Sequence, residues 1–229
     1  MTTNEQAAET ASASWREQAV ARSLDSARVR AESRVQRFID AAFELLNDSE
    51  PGKDFTVQDV VEKSGQSLRS FYQYFGGKQE LLMALFEESV RSTADQLRDR
   101  IQGEKKPIDR LHSFVVEYYA LCRPTAKSRG KKREPIALAE FAQQLMTAHP
   151  HEATRAFSPL VSLFDEVLDE AVAAGSVRGD LSRRRIAGVV LEAIMFNAFS
   201  TTIGGSAREP GGGDPAEELW ELLLHGIGS

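Results

Sequence analysis

Four side chains between Gly65 and Leu82 have the chemistry of base recognition. Ser67, Arg69, Ser70 and Gln73 fall within seven residues, and each offers hydrogen-bonding groups to base edges or phosphates. Phe71 and Phe75 stand four apart, the spacing that puts two side chains on one helix face, and can anchor that face from behind. Other reactive residues do not converge. His149 and His151 with Glu152 could suggest a metal, but no further ligand stands at suitable spacing, and a helix cap or loop is the better reading. Cys122 lies on an apolar stripe, where a core thiol is favoured over a redox sensor. No glycine-rich phosphate loop follows a strand, and there is no Gly-x-Ser-x-Gly. No metal, no cofactor and no enzymatic activity are expected.

The elements that must position these residues are short helices. Thr56 is placed to cap a helix, with Asp59 three residues on, and Val57, Val60 and Val61 supply its apolar stripe. Gly65 ends it, where a residue free to adopt positive φ is wanted. Ser67 caps a second helix over about 68–75, and Gly76-Gly77 break the chain before Lys78 opens the next. Two short helices joined by a glycine turn describe a helix-turn-helix, whose second helix enters the DNA major groove.

The run Gly65-Gln66-Ser67-Leu68-Arg69-Ser70-Phe71-Tyr72-Gln73-Tyr74-Phe75-Gly76-Gly77-Lys78-Gln79-Glu80-Leu81-Leu82 resembles the signature of the TetR family of bacterial regulators. That pattern is a Gly-apolar-Ser turn, an aromatic-rich recognition helix, then a Lys and a Leu-Leu pair. Gln66 departs from it, standing where the family usually has a small apolar residue, as do Val61 and Ser64, where it often has Ala. The resemblance implies that Ser67, Leu68, Arg69, Ser70 and Gln73 read bases, and that Thr56, Tyr72, Tyr74 and Lys78 contact phosphates. It further implies a homodimer on double-stranded operator DNA, responsive to a small-molecule effector and read as a repressor.

The rest of the chain reads as all-α, with no segment of sustained strand alternation. Three regions are expected: a flexible N-terminal extension over 1–25, a three-helix helix-turn-helix domain over 26–82, and a helical ligand-binding and dimerisation domain over 83–229. In the extension a short helix from Ser14 to about Leu24 is a further reading, and a frayed tail is favoured over a minor-groove arm carried by Arg16 or Arg22. Arg28, Arg30, Arg34 and Arg37 follow on the first helix, where a solvated face is favoured over phosphate contact. The fourth helix, expected from Lys78 to Gln102, leads away from the reading head and is the expected transmission element. A single long helix is expected from Glu152 to Ala174.

The family resemblance also implies an apolar pocket, for which Phe114, Tyr118, Phe141, Phe157, Phe164, Phe196 and Asn197 are candidates; ordinary core packing is an equal reading for each. The helix through Val189–Phe199 is apolar nearly all round, as is the last helix, so both need cover beyond one face. Val190, Ile194, Leu219, Trp220 and Leu223 are the expected dimer contacts.

Composition narrows the setting. The chain has 229 residues with 41% apolar and 27% charged side chains, ordinary for a globular protein with room for two domains. No run approaches the ~18 apolar residues of a membrane span, and the polar N-terminus has no apolar signal core. A single cysteine excludes an internal disulfide, so a cytoplasmic setting is expected. The net charge of −6 gives DNA binding no support, and residues 26–82 hold eight basic against nine acidic side chains. The basic stretch over 123–134 reads as a solvated loop, with an anion-contacting lid as the lesser alternative.

Overall fold

The computed structural model describes residues 15–48, 55–123, 136–203 and 213–227. Among them are ten α-helices and no β-strand, the all-α class that the sequence pattern indicates. The chain divides into two compact units, Met1–Lys78 and Gln79–Ser229. The basic stretch over 124–134 and residues 1–14 lie outside the described residues.

The first unit holds α1 (Trp15–Asp48), α2 (Val57–Ser64) and α3 (Leu68–Tyr74). Helix α1 is one continuous element of 34 residues, so the expected break near Leu24 is absent and residues 15–25 belong to a helix. The physical reason is local: Leu24-Asp25-Ser26 contains neither glycine nor proline, and nothing there interrupts the backbone ladder. Its C-terminal half buries Phe38, Ile39, Ala41, Ala42 and Leu46. The ring of Phe38 meets Phe71 edge-on at 5.4 Å and Phe75 at 6.1 Å, and these three aromatics form the centre of the unit.

Both ends of α2 follow the sequence signals. The Thr56 hydroxyl accepts from the Asp59 amide at 3.2 Å, and the Asp59 carboxylate accepts from the Thr56 amide at 2.7 Å, a complete capping box. The Thr56 amide, and the Thr56 hydroxyl that also donates to the carboxylate at 2.8 Å, hold the Asp59 carboxyl below its ordinary range. Gly65 takes the left-handed conformation (φ 65°), and its amide and that of Gln66 return to Glu62 and Val61.

The second unit holds α4 (Lys78–Ile101, opening at the last residue of the first unit), α5 (Pro107–Cys122), α6 (Ile136–Ala148), α7 (Pro150–Ala156), α8 (Ser158–Ala173), α9 (Arg183–Ile203) and α10 (Pro215–Ile227). Helix α5 is central, packing against α8, α9 and α10. The long helix expected over 152–174 is two helices. The chain turns at Phe157, and α8 restarts with Pro159 in its first turn, where a missing amide is tolerated. Helix α4 buries Leu81 and Leu85 together with Phe86, Val90, Leu97 and Ile101, whereas Leu82 is only partly covered. Phe86 packs on Phe157 and Phe141 at 5.2 and 6.1 Å. The fully buried Tyr119 of α5 places its hydroxyl on the Asn197 carbonyl of α9 at 3.1 Å, giving its polar end a partner.

Candidate nucleic-acid interface and effector cavity

Helix α3 is short, and its period sorts its residues sharply. Phe71 and Phe75 point inward and are buried, with Ser70 and Tyr74 half-buried beside them. Leu68, Arg69, Tyr72 and Gln73 point outward, as does the capping residue Ser67. Leu68 is 44% and Tyr72 57% exposed, unusual for such large apolar groups unless that face meets something. Arg69 has no acidic partner among the described residues, so its guanidinium is available to a ligand.

Ser67 caps α3 by accepting from the Ser70 amide at 3.1 Å. Ser70 itself is placed differently from the other candidate base readers. Its Oγ is shielded and has no hydrogen-bond partner, so it is not presented with Arg69 and Gln73. The Thr56 hydroxyl is engaged in the capping box. Lys78 donates to the Phe55 carbonyl at 2.6 Å with its ammonium 4.5 Å from the Phe55 ring centre, which fixes a positive charge at the start of α4. The structure thus gathers Ser67, Leu68, Arg69, Tyr72 and Gln73 on one exposed face and sets Ser70 and Tyr74 behind it.

One residue acquires a role that the sequence pattern does not signal. The Gln66 side-chain amide donates to the Arg34 carbonyl of α1 at 2.8 Å, tying the turn of the helix-turn-helix to the long helix. A small apolar residue at this position could not make that bond.

In the second unit a cavity of about 380 Å³ opens between α5, the α6–α8 region and α9. Tyr118, Met146, Phe157, Val161, Leu191 and Met195 give it apolar walls, and Arg184 and Glu192 bring charge to it. Of the seven pocket candidates, Tyr118 and Phe157 line it. Phe114 and Phe164 are fully buried against each other at 5.2 Å, and Phe141 packs on Phe86, so these three are core. Phe196 is 44% exposed, and Asn197 receives the Tyr119 hydroxyl. The α9 residues that line the cavity, Arg184, Ala187, Gly188, Leu191, Glu192 and Met195, fall on one face at helical spacing, a stripe that the sequence does contain.

The expected dimer contacts are also distributed differently. Val190, Ile194, Leu219 and Trp220 are buried within a single chain, and Leu223 is half-buried. Trp220 lies against His112 of α5 at 5.1 Å, and His112 bonds Glu217 at 2.7 Å. Among the described side chains of these helices, the large apolar ones left uncovered are Val189 and Phe196 on α9 and Leu222 on α10, 60%, 44% and 71% exposed.

A glycine-turned helix pair with a polar outer face on an aromatic base defines a helix-turn-helix DNA-binding domain. Residues 38–85 match the family model described as bacterial regulatory proteins, tetR family. An uncharacterized HTH-type transcriptional regulator of Bacillus subtilis, YvdT, is 21% identical over 75% of this chain and 84% of its own length. The fold is shared with FadR of Bacillus subtilis, solved in complex with stearoyl-CoA (TM-score 0.62, 17% identity, 84% of this chain and 98% of that one). It is shared also with a TetR family regulator of Marinobacter aquaeolei (TM-score 0.59, 17% identity, 88% and 99%). Residues 38–85 thus carry a helix-turn-helix domain of the TetR family, and over most of its length the chain is similar to a transcriptional regulator. Among the described residues no helix is long and apolar enough to cross a membrane.

Proposed function

We propose that this regulator is a repressor that binds a roughly palindromic operator as a homodimer and is released by a small lipophilic effector. The observation that carries the reading is the outer face of α3, where Leu68, Arg69, Tyr72 and Gln73 stand exposed over a buried Phe38-Phe71-Phe75 base. A dimer presents two such faces to successive major grooves, about 34–36 Å apart. Arg69 is the proposed guanine reader, with Ser67 and Gln73 beside it, while Lys78 and Tyr72 take phosphates. Val189, Phe196 and Leu222, left uncovered in one chain, supply the apolar contacts of the pair.

The cavity supports the effector half of the reading. Its volume lies within the range of small-molecule sites, and its lining is mostly apolar with two charged groups. A FadR of the same fold binds stearoyl-CoA, which supports a lipophilic ligand class here. The effector acts by binding the operator-incompetent state more tightly; a coupling of about 1–3 kcal/mol changes operator affinity roughly 5- to 150-fold. A soluble protein working on chromosomal DNA fits the cytoplasm.

The deciding experiment is retardation of a DNA fragment from the protein's own promoter region. It is repeated with lipophilic compounds, acyl thioesters included, first ranked by thermal shift. Specific retardation reversed by a stabilising compound is expected. Absence of any retardation by the purified dimer overturns the reading.

A further inference from the structure

We propose that α1 carries a second DNA-binding element: a row of arginines, Arg30, Arg34 and Arg37, that grips backbone phosphates beyond the reach of the recognition helix. The proposal rests on the operator reading above and extends it to a part of the chain that the helix-turn-helix signature does not include.

Helix α1 is far longer than its packing requires. Its 34 residues span roughly 50 Å, yet among its described side chains burial begins only at Phe38. Every side chain from Ala19 to Arg30 is exposed. A helix without tertiary cover is marginal in water, so a long bare segment is expected to have something to bind.

Its charge is sorted. Between Ser26 and Arg37 there are four arginines and one acid, Glu32, in a protein whose net charge is −6. Glu32 is taken by Arg28 at 2.7 Å. The other three arginines recur at steps of four and three and so share one flank. All three are exposed, Arg30 and Arg34 have no acidic partner among the described residues, and Arg37 spends only its Nε, on the Ser33 carbonyl. Ser23 and Ser26 continue that flank with small polar groups. The acids Asp25 and Glu32 fall on the opposite side by helical periodicity, while Asp40 and Glu44, one and two turns beyond Arg37, are engaged by Gln36 at 3.1 Å and by Lys63 at 3.2 Å.

The position is right for DNA. The Gln66 side chain holds the turn, one residue before Ser67, against α1 at the Arg34 carbonyl. The arginine row therefore sits next to the N-terminal end of α3, the end that a recognition helix directs at base edges. Guanidinium groups bind phosphate through two parallel hydrogen bonds. Duplex DNA presents such charges about every 1.7 Å along its axis. The row meets their closely spaced negative charge with no acid between Arg30 and Arg37 on its own flank.

The test uses the full-length protein and its promoter fragment, with affinity measured against salt. R30Q/R34Q/R37Q should lower the slope of log K against log salt by about 2–3 and weaken binding about tenfold or more at 0.1 M salt. Operator and scrambled DNA should weaken alike, because phosphate contacts carry no sequence. R30K/R34K/R37K should keep most of the slope. Helical content by circular dichroism checks folding, and the single variants R30Q and R34Q, each lowering the slope by about 0.9, serve if the triple variant is unstable. An unchanged slope in the glutamine variants, with R69A still weakening operator binding, overturns this proposal alone and points to an acidic protein partner for the row. Selective loss of operator preference also overturns it. A wild-type protein that binds no DNA overturns it together with the operator reading.

Discussion

The side-chain amide of Gln66 donates to the main-chain carbonyl of Arg34 at 2.8 Å, across 32 residues of chain. This bond fixes the turn that precedes the recognition helix to α1, independently of the aromatic core formed by Phe38, Phe71 and Phe75. Removing it with Q66A should lower the stability of the first unit by about 0.5–1.5 kcal/mol, the net worth of one such bond. Operator affinity should fall a few-fold, since α3 is then held less firmly in its docking pose. Thermal melting and fluorescence anisotropy on the promoter fragment measure the two effects separately. Equal affinity in Q66A and wild type would mean that the bond does not orient α3.

Arg69 and Ser70 are neighbours with opposite expected behaviour. The Arg69 guanidinium is exposed and unpartnered by any described acid, whereas the Ser70 Oγ is shielded without a hydrogen bond. R69A should cost about 1–3 kcal/mol of operator binding and relax preference at one base position. S70A should leave operator affinity within a factor of about two and should not destabilise the fold, because it removes a buried hydroxyl that has no partner. Binding to a panel of single-base operator variants checks both. A large, base-specific loss in S70A would show that the helix turns on DNA to present that hydroxyl.

That contrast shows where the sequence stops informing. The helix-turn-helix is legible because its signals are local: Thr56 with Asp59, Gly65 at positive φ and Ser67 as cap are all encoded by spacing within a few residues. The facing of Ser70 is not local, for it depends on which side of a seven-residue helix meets Phe38 of α1. The division of one expected helix into α7 and α8 is signalled by Pro159, but a proline about two turns inside a periodic pattern is easily absorbed into a kinked single helix. Helix α9 is apolar on so many sides that periodicity alone assigns it no inner face. Val190 and Ile194 therefore read as interface, although the chain buries them itself.

The outward residues of α9 and α10 make the next prediction. V189E together with F196E, or L222E alone, should shift the proposed dimer to monomer with its helical content kept, because these side chains are exposed within one chain. I194E should unfold the second unit instead, since Ile194 is fully buried and a buried unpaired charge costs several kcal/mol. Analytical ultracentrifugation paired with circular dichroism distinguishes dissociation from unfolding. Wild-type-like dimers in both exposed-site variants would move the interface elsewhere.

Asp165 gives a pH-dependent prediction. Burial is the main reason its carboxyl is raised above the ordinary range, and the neighbouring Asp169 adds to it while Arg183 opposes. Its Oδ1 is shielded without a partner. A raised folded-state value means the group favours folding when protonated, and that contribution is lost as pH rises through the folded value. D165N should therefore melt higher than wild type at neutral pH. The gain should be smaller than the ~2–4 °C that 1 kcal/mol produces in a chain of this length, because the carboxyl is only partly buried and solvent still screens it. It should vanish below the ordinary aspartate range, where the wild-type group is protonated in both states. Melting curves from acid to neutral pH measure it, and a gain that grows on acidification would contradict the sign.

Gly188 separates effector response from DNA reading. It lies inside α9, lines the cavity, and a Cβ built on it meets nothing within 4 Å. G188A should stabilise α9 by about 0.5–1 kcal/mol, since alanine loses less backbone freedom than glycine in a helix interior and here meets no obstacle. G188F directs a large ring from the same backbone position toward a space of about 380 Å³ and should occupy much of it. The expected phenotype is operator binding that resists release: retardation of the promoter fragment unchanged, thermal shift by the best stabilising compound abolished. Loss of operator binding in both variants would instead mean that the α9 wall governs the DNA-competent state directly, whether or not a ligand is present. Retained compound response in G188F would place the effector outside this cavity.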